Sequence, residues 1–225
     1  VTAPVRIFLA VLAAFGLAAS PLLSGTAWAA PRPVPNSMAD DEQTAVEVVN
    51  GFWTRHFQEY FGGSYSPPRV VGAYVGSRGP RCGGIRSMAG NAFYCRPGDY
   101  LAWDEQLMSA GYSKIGDSWV YVIIAHEWGH AIQARLKRTM VSQDGELQAD
   151  CLAGATLNGA AHDGTLIVEP NDREELEGAL VAVADKYKWS SSKDHGNAQQ
   201  RVSAYNKGAL GGVKACFQPA TAPRS

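Results

Sequence analysis

Apolar positions along this chain fall into three patterns, and each predicts a different kind of element. Between Ile7 and Ala19 they are nearly continuous. From Met38 to Phe61 they recur at helical spacing, at Val46, Val49, Trp53, Phe57 and Tyr60. Asp40, Asp41 and Glu42 fall in the first turn, where a helix dipole favours acids. That stretch predicts a packing helix. Residues 62–103 lose the period. They are dense in Gly, Pro and Ser, with short β-prone runs at Val70–Val75, Asn91–Cys95 and Tyr100–Trp103 and a turn at Pro97-Gly98-Asp99. A small sheet ending in a hairpin is expected there. After Asp104 the helical signal returns almost to the end, with helices expected at about 104–111, 118–138, 145–160, 171–187 and 198–209. Strands first and helices afterwards predict an α+β fold with helices packed on one side of a small sheet.

The first apolar run has its own explanation. It follows a single charge, Arg6, and leads through breakers around Pro21–Gly25 to Ala27, Trp28 and Ala29. This is the layout of a secretory signal peptide, residues 1–29, cut after Ala29. A membrane anchor fits less well, because a spanning helix needs about 20 apolar residues. The chain is therefore expected to be secreted, outside the cell or in its envelope, with no stable membrane insertion. A proline-rich leader at 30–37, one domain at 38–218 and a tail at 219–225 complete the expected organisation.

Composition narrows the picture further. Of 225 residues, 46% are hydrophobic and 18% charged, as in a globular domain with a real core. The formal net charge of -1, without a basic block, gives nucleic acid no footing. A monomer is expected. The four cysteines, Cys82, Cys95, Cys151 and Cys216, include no C-x-x-C pair, so two disulfides in an oxidising compartment are expected rather than a cysteine zinc site. Of three possible pairings we favour Cys82–Cys95, which closes a short loop, and Cys151–Cys216, which ties the chain's end to its middle.

Candidate chemistry concentrates in "VIIAHEWGHAIQARL", residues 122–136. His126 and His130 stand one helical turn apart on the same face, so both imidazoles can reach one tetrahedral zinc. Glu127 would then project beside the metal, where a carboxylate can take a proton from zinc-bound water. Alone, H-E-x-x-H is short enough to occur in an ordinary buried helix. Three neighbours change that. The preceding "WVYVIIA" is apolar all round and would bury the motif, where two histidines and a glutamate need a strong partner such as a divalent cation. Gly129 sits inside the motif at a helix cost of about 1 kcal/mol, leaving room for another backbone or a ligand, or serving plain packing. Finally, "GELQADCLAG" opens a second helix with Glu146 and Asp150 one turn apart. Glu146 can be the third ligand, and Asp150 can accept the outer N–H of a zinc histidine.

The string "NAFYC…AHEWGHAIQ…ELQADCLAG…DHGNAQQRVSAYNKG…AC", from about Cys82 to Cys216, resembles the neutral zinc metallopeptidases of bacteria, among the gluzincin-like zincins. The resemblance implies a zincin-like fold, one zinc on His126, His130 and Glu146, Glu127 as general base and Asp150 behind the ligands. "NAF" is similar to the substrate-binding edge strand of thermolysin-like gluzincins, which implies that Asn91, Ala92 and Phe93 meet an extended peptide. Asn91 also reads as a turn residue after Gly90. Gluzincins often supply an oxyanion donor from later in the chain, and His195 is the candidate, its alternative being an exposed histidine near a helix cap. Arg201, equally an ion-pair partner, and Tyr112 and Tyr205 are further candidates. His56 and His162 have no motif around them and read as surface or packing residues. "AQQR" departs from the serine-glutamate form of this stretch, which leaves the contacts there open. The expected activity is that of a secreted zinc metallopeptidase, with a peptide or protein substrate. Endopeptidase is the default, because no cluster that would clamp a substrate terminus is visible. A non-catalytic zincin module with structural zinc, and a cell-wall amidase or cross-link peptidase, are the alternatives.

Overall fold

The computed structural model describes residues 37–187, 190 and 194–217. The expected signal peptide, nearly all of the proline-rich leader and the 219–225 tail lie outside the described residues.

Ser37 starts the first helix, α1 (Met38–Phe61), because its side-chain oxygen accepts the Asp40 backbone N–H. The helix ends at Gly62, whose φ of 70° suits a residue without a Cβ. Its inner face carries Ala45, Val49, Phe52, Trp53 and Phe57, at the spacing the sequence shows. The sheet follows. Its strands are β1 (Arg69–Tyr74), β2 (Ala92–Cys95) and β3 (Tyr100–Asp104), in the order β1-β3-β2. β2 and β3 form the expected antiparallel hairpin through a short 3-10 turn at Arg96–Gly98, while β1 lies parallel to β3. β2 is therefore an edge strand.

β3 is buried along its whole length, because both faces of the sheet are covered. Leu101 and Trp103 join the main core. Tyr100 and Ala102 join Tyr74 and Cys95 in a second, smaller core. The loop between β1 and β2 closes over that outer face. The Cys82–Cys95 disulfide ties it down, and Tyr74 Oη donates to the carbonyls of Met88 and Asn91 at 2.8 and 2.9 Å. Asp104, fully buried, ends β3 by capping the next helix through the Gln106 N–H. It also accepts from the backbone of Gly90 and Gly76. These N–H groups, Gly90 first, hold its carboxyl below the usual range.

Among the described residues five helices follow: α2 (Glu105–Lys114), α3 (Ser118–Arg135), α4 (Gly145–His162), α5 (Asp172–Ala182) and α6 (Ala198–Ala215). α3 is the central one, buried on nearly every side from Ser118 to Gln133. The ends of α2 and α3 fall three residues from the expected ones, and two others differ by more. α5 stops at Ala182, short of 187, because Asp185 turns to the segment before α6: its N–H donates to Gly196 O at 3.0 Å and its carboxylate accepts the His195 N–H at 2.7 Å. α6 runs past 209 to Ala215, with a break at Gly212, φ 67°. Among the described residues, no helix is long and apolar enough to cross a membrane.

α4 and α6 cross closely because glycine stands on both sides of the contact. A Cβ on Gly154 would sit 2.1 Å from Tyr205 O, and one on Gly208 would sit 1.8 Å from Cys151 O. The Cys151–Cys216 disulfide bonds the same two helices together, so both expected pairings are present. Gly208→Ala should lower stability by about 1–3 kcal/mol, the usual cost of overpacking, read as a shift in urea midpoint. An unchanged midpoint would contradict this close crossing.

Candidate metal centre

Three side chains converge where α3 meets α4. His126 Nε2 lies 3.2 Å from Glu146 Oε2, and His130 Nε2 lies 3.4 Å from the same oxygen. Ligand atoms of all three lie within 4.8 Å of one another. The helices can come this close because of Gly129. A Cβ there would meet Ala149 O at 2.9 Å and Ala149 Cα at 3.0 Å. The glycine inside the motif thus makes room for the backbone of α4, and α4 delivers Glu146 and Asp150.

Each histidine is oriented from behind. His126 Nδ1 is 2.8 Å from Asp150 Oδ1. His130 Nδ1 is 2.9 Å from Gln133 Oε1, a partner that sequence reasoning missed. The Gln133 amide cannot be turned round without loss: its Nε2 donates to Gly145 O at 2.6 Å and to Gln148 Oε1 at 3.2 Å. Its Oε1 is thereby left to accept, so His130 must carry a proton on Nδ1. Asp150 imposes the same tautomer on His126. Both Nε2 atoms then point their free positions at one carboxylate oxygen.

The charges agree with a cation site. Burial alone would keep the His126 ring neutral, but Asp150 outweighs it, Glu146 adds to the effect, and the pKa rises to about 10. Burial also works against ionising Glu146, and the two imidazoles overcome it, holding its carboxyl well below the ordinary range. Asp150, fully buried, is kept ionised against burial by His126 and Arg201. Arg201 donates to both its oxygens, from Nε at 2.9 Å and from Nη2 at 2.7 Å, and donates from Nη1 to Val183 O at 3.0 Å. Positive charge is drawn between the two histidines and Glu146, and a metal ion meets that demand better than protons. Two imidazoliums with ring centroids 4.8 Å apart would repel each other. Zinc bonds of about 2.0–2.1 Å in a tetrahedron put neighbouring ligand atoms about 3.4 Å apart, close to the separations found. The donor set therefore fits zinc.

Glu127 and the edge strand lie alongside. Glu127 Oε2 accepts the Tyr94 backbone N–H at 2.8 Å, which aims the free edge of β2 at α3. Alternate residues of an antiparallel strand face the same side, so Ala92 turns its backbone groups to the cleft as Tyr94 does. Phe93 pairs its backbone with β3, and its ring packs against Tyr74 and Tyr100. Asn91 lies at the head of the strand and accepts the Asp104 N–H on its carbonyl, at 2.8 Å. Asn91, Ala92, Phe93, His126, Glu127, His130, Glu146 and His195 all line one cleft of about 820 Å³.

His195 is half-exposed on its rim, with Nδ1 3.7 Å from Asp185 Oδ1. Arg201 also reaches the cleft wall, but its guanidinium is engaged with Asp150 and Val183. Tyr112 donates to Asp41 at 3.0 Å, and His56 pairs with Glu59 and Asp163, outside the cleft. Tyr205 and His162 do not line it either. A second acidic group, Asp117, Asp172 and Glu175, has no nitrogen ligand, and Glu175 accepts the Ser118 N–H at the start of α3.

A family model described as "Putative neutral zinc metallopeptidase" matches residues 7–218. The chain belongs to that family. No curated protein and no solved structure gives a significant match. The family name implies zinc, and the His126, His130 and Glu146 group is where the structure could hold it.

The outer partners yield a prediction. Gln133→Leu should weaken zinc binding by about 10–100-fold, measured by chelator competition, with helical content unchanged. Asp150→Asn should do the same and also cost stability, because Arg201 would lose its buried anion. Wild-type zinc affinity in Gln133→Leu would show that this amide does not orient His130.

Proposed function

We propose that the protein is a zinc-dependent peptidase, secreted or resident in the cell envelope, with zinc on His126, His130 and Glu146. The observation that carries this reading is the placement of Glu127. Its carboxylate follows the first histidine of the pair and is tethered to the backbone of an edge strand that lines the same cleft. A structural zinc has no need of such a carboxylate or of an open approach. The two disulfides fit an oxidising compartment.

When bound, zinc supplies a Lewis acid that polarises the scissile carbonyl and makes a neighbouring water more acidic. The chain does the rest. The free edge of β2 lays the peptide out as an added strand, through the backbone groups of Ala92 and its neighbours. Asn91 stands at the end of that edge as a side-chain contact, and Phe93 shapes the wall. Glu127 takes the proton of the attacking water on its carboxylate and hands it to the departing amine nitrogen. Asp150 and Gln133 keep both imidazoles in register. His195 is the donor we assign to the developing oxyanion, since its half-exposed ring lines the same cleft and the Arg201 fork is engaged.

Glu127→Gln tests the mechanism. The variant should fold and hold one zinc, yet lose at least about 100-fold in hydrolysis of a casein-type substrate, the scale of general acid–base catalysis. Activity within a few-fold of wild type would overturn the role of Glu127. One bound zinc with no cleavage of protein or peptidoglycan by the wild type would point instead to a structural metal. Cleavage of peptidoglycan alone would mark a cell-wall enzyme.

A further inference from the structure

The cleft lining holds two arginines besides the Arg201 that binds Asp150. Two short 3-10 turns each give an arginine to the cleft lining: Arg96–Gly98, which follows β2, and Arg138–Met140, which follows α3. Arg135, in the last turn of α3, ties that helix to the residue that follows the first of these turns. It donates from Nη2 to both oxygens of Asp99 at 3.0 Å, and from Nε to Ser66 O at 2.6 Å. That acid is thereby spent on Arg135. Arg96 and Arg138 both line the cleft and are both exposed, and neither has an acidic partner among the described residues. Leu107, Ile123, Ala182 and Val183, also in the lining, are uncharged, and the third arginine of the lining, Arg201, is engaged with Asp150 and Val183 O.

We infer that this arginine pair, Arg96 and Arg138, selects substrates that place a carboxylate at the end of the cleft where β2 terminates. The inference rests on the peptidase reading and names its substrate class: peptides acidic on that side of the scissile bond. Two unpaired guanidinium groups beside a peptide-binding edge attract anionic chains during approach and favour them once seated. The carboxylate can belong to an Asp or Glu side chain or to the C-terminus of the peptide. Neither arginine stood out in the sequence, because they are separated by the whole of β3, α2 and α3. Only the fold puts them in one cleft.

The test separates binding from hydrolysis. Zinc-loaded Glu127→Gln protein is titrated with fluorescein-labelled nonapeptides by anisotropy, the set differing by Glu, Gln or Lys at one position scanned along the peptide. Each peptide is made with a free and with an amidated C-terminus. At low salt the Glu peptide should bind about fivefold tighter than its Gln counterpart at one or two adjacent positions, the Lys peptide weaker still. The preference should shrink severalfold in about 0.5 M salt, as screening requires. It should vanish when R96Q and R138Q are added, whereas R173Q, on an exposed arginine of α5, should leave it in place. If amidation alone removes the preference, the carboxylate is the C-terminus; if it does not, the side chain is the source. Equal binding of all three peptides, preference for Lys, a preference that survives loss of both arginines, or no peptide binding would overturn the inference. Hydrolysis of the same peptides by the wild type is scored separately. Charge-selective binding without cleavage would retain the arginine pair and reject the peptidase reading.

Discussion

The site depends on how closely two helix backbones approach. Gly129 on α3 faces Ala149 on α4, and a single Cβ would stand 2.9 Å from the Ala149 carbonyl oxygen. At that separation Glu146, one turn earlier on α4, reaches both histidines, and Asp150, one residue later, reaches the back of His126. Moving α4 outward by the width of a methyl group would carry both acids away together. The rest of the helical half holds that approach fixed. α6 packs on the other side of α4 through Gly154 and Gly208 and is bonded to it by the Cys151–Cys216 disulfide. From α6 Arg201 reaches back to neutralise Asp150.

Burying this much charge needs compensation at each step. Asp150 is fully buried and would be costly alone, but it accepts from His126 and from Nε and Nη2 of a buried guanidinium. Glu146, less buried, faces two imidazoles. Gln133 and Gln148 carry the second histidine's support outwards, to the carbonyls of Gly145, Met140 and Cys216. His130 is thus linked through two amides to the loop before α4 and to the disulfide residue at the end of α6. Such a network favours one geometry for the imidazoles, which a metal site requires.

Much of this was legible in the sequence, and the reasons are local. His126, His130, Glu146 and Asp150 obey helical spacing on two adjacent helices, so one periodicity brings each pair to one face. The unbroken apolar stretch before His126 announced a buried helix, and α3 is buried from Ser118 to Gln133. The even cysteine count allowed three pairings, and short-loop closure favoured the set observed. What escaped notice depends on tertiary contact. Gln133 lies three residues past His130, a spacing helices allow for any residue, and nothing in its type marks a partner for imidazole. The Tyr94 N–H reaches Glu127 only because β2 is an edge strand, and edges are set by strand order. β1 could not be read as parallel to β3 from its own residues. α5 stops early because Asp185 finds the segment before α6, a contact between residues ten apart that no helical period reveals.

The central claim is that His126, His130 and Glu146 are the ligands of one zinc. Zinc-edge X-ray absorption on the purified protein tests it most directly, beside the metal content. The account predicts one zinc per chain with a shell of nitrogen and oxygen at about 2.0–2.1 Å and the outer scattering of two imidazoles, both lost in Glu146→Ala or His130→Ala. A sulfur shell at about 2.3 Å, zinc retained in full by those variants, or no metal in folded wild-type protein supplied with zinc would contradict it.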